Sequence, residues 1–185
     1  MKQLLLFLLA MVLFLPQAYA FDWHKDIDTI TATPDKIYEC YPGMSLNDLH
    51  ATWSDVPGWK LVTWEKPGYQ GVRMATFNKI SDKGDKFIET FQAARDYGST
   101  KIFAIYVTFS TNDAKLANEI YSYTIKKMTE SVGVAARPYD SFLYKGTRRT
   151  GVTWDTGDHK YECVLVQGGT NPVNCRYHIQ INQYH

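Results

Sequence analysis

The chain writes one pattern twice. Val62-Thr-Trp-Glu65 leads into a Lys66-Pro-Gly68 turn and a β-rich run over 72–79, and Val152-Thr-Trp-Asp155 leads into a Gly157-containing turn and a second run over 159–166. Val, Thr and Trp favour the pleated, half-buried surface of a strand, and Pro and Gly break the run where the chain must reverse. Two hairpins at such a distance constrain the chain to antiparallel β-structure, and the intervening sequence decides what covers it.

That sequence reads as helices and further strands. Ser45 is placed to cap a helix over 45–53, with Asp48 three residues on and Leu46, Leu49 and Trp53 at helical spacing. After the first hairpin, 59–65 with 72–79, comes a charged loop over 81–86. Phe87, Phe91 and Ala94 then predict a helix over 87–97 that Gly98 ends. Residues 101–109 form the clearest strand, apolar on both sides and therefore central. A long helix over 112–132 follows, capped by Thr111 or Asn112, with Asp113 in its first turn and Gly133 closing it. Its buried stripe is Leu116, Ile120, Tyr123 or Thr124, and Met128, read as ordinary core. An extended piece over 137–144 precedes a meander of 151–155, 159–166 and 174–182. Residues 21–39 read as a polar lead, with Ile37-Tyr38 opening the packed part.

Each unit thus reads α-β-β-β, the first with a helix inserted before its last strand and the second with an extra extended piece. The fold class expected is α+β: an antiparallel sheet or sheets with helices on one face, with two tandem αβββ units as the finer reading. A single domain over 21–185 has halves 37–110 and 111–185, sharing one sheet or packed side by side. In the last strand Tyr177, Ile179 and Ile181 alternate with Arg176, His178, Gln180 and Asn182. That describes one dry and one wet sheet face.

Residues 1–20 carry Lys2, an apolar run from Leu4 to Leu15 and an Ala18-Tyr-Ala20 end. This is the pattern of a cleaved secretory leader, too short for a lasting membrane span. The expected location is therefore outside the cytoplasm, periplasmic or secreted. With 20 Lys and Arg against 19 Asp and Glu, and Lys2 lost with the leader, the remaining chain is neutral. It has no field to draw it onto nucleic acid. A chain of this size buries about 70% of its unfolded surface without needing metal. Export permits disulfides. A hairpin centred on Gly169 would set Cys163 opposite Cys175, on the face of Tyr161 and Leu165, so the expected bridge is Cys163–Cys175 with Cys40 left over. A link from Cys40 to one member of the hairpin is the rival.

Tyr41-Pro-Gly-Met-Ser-Leu-Asn-Asp-Leu49 resembles the Gly-Met-Ser-x-x-x-Leu/Val helix start of the β-lactamase inhibitory protein-like group, which includes small outer-membrane lipoproteins of the barrel-assembly machinery. Gly43, Met44, Ser45 and Leu49 are the matching positions. The group's fold is a short helical segment followed by a meander, and the inhibitors carry two such units. This chain departs from it: no lipid-acceptor Cys follows the leader, the second unit lacks Gly-Met-Ser, and the second helix is longer. The resemblance implies a binding scaffold and assigns no functional residue.

Residue chemistry points the same way. His24, His50, His159, His178 and His185 form no HExxH or other tight ligand pair, and no phosphate-binding glycine loop occurs. No metal or cofactor is expected. Cys40 with His50 is the one conceivable thiol–imidazole pair, Ser110 and Ser141 lack an elbow context, and Asp26/Asp28 and Asp155/Asp158 are acids in turns. Lys145–Arg149 is the densest basic patch, suited to an acidic partner. The leading reading is an exported binding module that holds a protein or envelope component on its wet sheet face. Its contacts would be Tyr106, Lys160, Arg176 and His178, with Arg148 and Arg149 at the rim. The alternatives are a small hydrolase of cell-wall or glycan material, and a carrier with an apolar pocket between helix 112–132 and the sheet.

Overall fold

The computed structural model describes residues 22–53, 56, 58–67, 71–80, 87–142, 147–168 and 176–184; for 80, 87, 141–142 and 176–184 it describes the backbone. The elements are α1 (Trp23–Thr31), α2 (Leu46–Trp53), β1 (Trp59–Pro67), β2 (Arg73–Ile80), β3 (Phe87–Arg95), β4 (Ile102–Thr111), α3 (Ala114–Val132), β5 (Arg137–Phe142), β6 (Arg148–Asp155), β7 (Lys160–Gly168) and β8 (Arg176–Tyr184). No helix among the described residues is long and apolar enough to cross a membrane.

The eight described strands join one antiparallel sheet in the order β1-β2-β3-β4-β8-β7-β6-β5. Two four-stranded meanders therefore meet back to back, their last strands paired at the centre, with Val107 opposite Ile181. The fold is α+β with helices on one face. β4 and β5 are separated by four antiparallel steps and so run in the same direction. The chain must return down the sheet to connect them. A strand of 10 residues spans about 34 Å, and the 19 residues of α3 about 28 Å. The length of α3 is what that return requires.

One sheet face carries the core. Trp53 of α2 stacks on Phe91 with ring centroids 4.2 Å apart, lies tilted on Phe77, and takes Trp59 edge-on. In the second half Ala117, Ile120, Thr124 and Met128 of α3 are buried. Trp154 is fully buried and donates its indole N–H to Thr129 Oγ1 at 3.2 Å. Aromatic pairs of this kind add about 0.5–1.5 kcal/mol beyond the area they bury. The segment 22–40 runs over the same side. Its Asp28 meets Lys127 and Tyr123 of α3, and its Asp35 accepts from the Tyr161 hydroxyl at 2.6 Å.

Four expectations are corrected. Residues 87–97 are not a helix: β3 pairs with β2 and β4 along its whole length. Its Glu89, Phe91 and Ala93 alternate inward, a period-two pattern that coexists with the helical one in so short a run. The extended piece after α3 is a full edge strand, β5. Together these make each half αββββ rather than αβββ. The two Val-Thr-Trp segments then occupy non-equivalent strands, the first of one meander (β1) and the second of the other (β6). Residues 23–31, expected as polar lead, form α1, capped by the Asp22 carboxylate and buried through Ile27 and Ile30. Finally, the Cys163–Cys175 bridge is absent. Cys163 is a free, buried thiol opposite Ile181, because Gly168 pairs with Arg176, a register that is not centred on Gly169. Cys40 is also free and buried, which removes the rival link. Cys175 and the expected leader over 1–20 lie outside the described residues.

Candidate functional site

Strand alternation sends every second side chain to the face opposite the helices. One cross-strand rank there runs through Thr76, Gln92, Tyr106, position 182, Glu162 and Thr153. All six are polar. Asn78, Thr90 and Thr108 lie side by side in the next rank. Over β2–β4 the middle of this face bears hydroxyls, amides and one phenol, with Met74, Ile88, Ala94 and Ala104 toward its ends, and Gln92 Nε2 donates to Thr76 Oγ1 at 3.2 Å. The side chains are half-buried among themselves, while the opposite positions Phe77, Phe91 and Val107 are sealed under helices.

The second half of the same face is organised by a glycine. The ring of Tyr139 lies across Gly151, so closely that a Cβ at Gly151 would meet its Cζ at 2.5 Å. This carries the Tyr139 hydroxyl to Glu162 Oε1, to which it donates. Arg149 Nη2 lies 3.3 and 3.4 Å from the two carboxylate oxygens. Glu162 is thereby held between a phenol and a guanidinium, and burial, followed by the Glu162 contact, pushes the Tyr139 phenol well up. Neither Tyr139 nor Glu162 stood out in the sequence. The signal was there in Gly151, a glycine inside a strand, which marks a close approach by another group.

The residues expected to make contact are only partly gathered. Tyr106 sits centrally on the open face, paired in register with Gln92 and Asn182. Lys160 is exposed at the start of β7, opposite Asp155. Positions 176 and 178 fall opposite Gly168 and Val166, and Val166 faces Arg149 across the next ladder. Arg148 belongs elsewhere: it alternates with Arg149 onto the helix side and pairs with Asp140, Nη2 to Oδ2 at 2.8 Å.

The groups weighed for catalysis are dispersed. Cys40 Sγ accepts from the Trp53 indole N–H, and burial pushes its thiol up to about 12. His50 lies edge-on to Trp64, its ring centroid 4.9 Å away. Burial disfavours a Cys40 thiolate, which counts against the thiol form of the hydrolase reading. Asp26 and Asp28 go to different partners, Lys79 and Lys127. Among the described residues no group of His, Cys, Asp and Glu is arranged to hold a metal ion. One cleft of about 480 Å³ opens beside the N-terminus of α2, lined by Ser45, Asn47, Arg95, Tyr97 and Ser99, away from the α3–sheet interface. The chain matches no protein-family model, and no curated protein or solved structure matches it significantly.

Proposed function

We propose that the protein is an exported, non-enzymatic binding module that holds a protein or envelope component against the open face of its sheet. The observation that carries this reading is the asymmetry of the sheet: the three described helices lie on one face, and the middle ranks of the other carry hydroxyl, amide and tyrosine side chains. Such a surface offers many hydrogen bonds around an aromatic centre, Tyr106, and the pinned Glu162–Arg149 pair gives its far half a fixed polar feature. The likeness of the helix start at Gly43-Met44-Ser45 to that of the β-lactamase inhibitory protein-like group supports the same reading.

The test is affinity capture from envelope extract with three baits: the wild type, Thr108→Arg in the middle of the open face, and Lys115→Glu on the exposed surface of α3. Partners retained by wild type and Lys115→Glu but lost with Thr108→Arg are the expected result. Equal capture by all three removes the open face from the account.

A further inference from the structure

The helix side of the first half buries a charged cluster that the open face does not use. Glu89 is wholly buried on β3. Its Oε1 accepts from the Tyr38 hydroxyl at 2.5 Å. Asp26 of α1 is in hydrogen-bonding contact with it, and Lys79 of β2 reaches both acids, 2.7 Å from Asp26 Oδ1 and 3.5 Å from Glu89 Oε2. Oε2 has no hydrogen-bond partner of its own. The elements around this carboxyl contribute Asp26, Tyr38, Lys79 and otherwise aromatic or apolar groups: Trp59 of β1 beside Lys79, Trp53 of α2 against Tyr38, and Phe109 of β4 in register with Glu89. Asp28, the next acid of α1, is taken by Lys127 and Tyr123 of α3.

One ammonium thus faces two carboxyls in a dry site. Two charges there would leave one uncompensated, at a cost of several kcal/mol. A proton on Glu89, donated toward Asp26, satisfies both. The backbone supports the arrangement: Tyr38 and Glu39 are held in the left-handed region, at φ 49° and 70°, where side-chain-bearing residues rarely sit. That turn delivers the Tyr38 hydroxyl to Glu89.

We propose that segment 22–40 is a proton-gated strap, docked while Glu89 holds a proton against the Asp26 carboxylate and loosened from β2 and β3, ahead of the sheet itself, when that proton is lost. Burial first, and the Asp26 charge second, raise Glu89 from 4.5 to about 8 in the docked form. Between those values the docked form alone keeps the proton. Docking is therefore strongest below pH 4.5, weakens as pH rises, and levels off above about pH 8. Over that window the opening constant climbs about tenfold per pH unit.

Hydrogen–deuterium exchange on the full chain tests this, with rates corrected for the intrinsic pH dependence of amide exchange. In the wild type, opening of the 23–31 amides is expected to rise on the order of 100-fold or more between pH 5 and pH 8, while the 102–111 amides of β4 keep their protection. Glu89→Gln, whose amide donates as the protonated acid does, is expected to flatten the response. Asp26→Asn removes the repulsion from the other side and should flatten it too, serving if Glu89→Gln does not fold. A wild-type α1 indifferent to pH, a β4 that loosens in step with α1, or two folded variants that keep the wild-type slope would each overturn the proposal.

Discussion

At the scale of single residues, Gly151 governs the second half of the open face. An alanine there forces the Tyr139 ring aside and frees Glu162 from its phenol. Overpacking of this kind costs about 1–3 kcal/mol. Gly151→Ala is expected to lower the thermal midpoint, and Tyr139→Ala in the same chain to restore part of the loss, a coupling that a double-mutant cycle measures. If the two changes simply add, the ring does not rest on the glycine. The cysteines allow a sharper check. Cys40 and Cys163 are free and buried, both thiols raised by desolvation. Iodoacetamide should label neither in the folded chain and both in denaturant without reductant. Labelling of Cys163 only after reductant would reinstate a bridge.

At the scale of elements, what was legible followed from caps and periods. Ser45 bonds the Asp48 amide and carboxylate as its spacing suggested. Gly133 ends α3 at φ 74°. The N-cap of α3 is Asp113 rather than a neighbour, its carboxylate accepting from the Lys115 and Leu116 amides. Asp113→Ala should cost about 1 kcal/mol, read as a drop in denaturation midpoint with an unchanged slope. Three features were not legible, for three reasons. β3 fits both helical and strand periods, and only its two ladders decide between them. In α1 the pairing of Asp22 with Ile27 and Ile30 was masked by the polar residues around them. The β7–β8 register pairs Gly168 with Arg176 and is not centred on the glycine pair. The open face itself was foreshadowed by the alternation of 174–182, but Tyr139 and Glu162 meet only because β5 and β7 flank β6.

For the molecule as a whole, one continuous sheet implies one cooperative unit. Trp154 is buried in the second half, whereas Trp53, Trp59 and Trp64 pack in the first. Thermal unfolding followed by circular dichroism and by tryptophan fluorescence should coincide. Trp154→Ala and Trp53→Ala should each lower that same midpoint, by about 3–5 kcal/mol in stability. Two separated transitions would mean that the meanders hold independently and that the β4–β8 seam contributes little.

That seam has a consequence for how the molecule is made. The central strand β8 is also the last of the described strands to be synthesised, and its pairing with β4 is what joins the two meanders. Until it arrives, β4 presents a bare ladder along an apolar strand, an invitation to foreign pairing. A nascent chain halted before residue 176 holds two fans and no keystone between them, so maturation waits on β8.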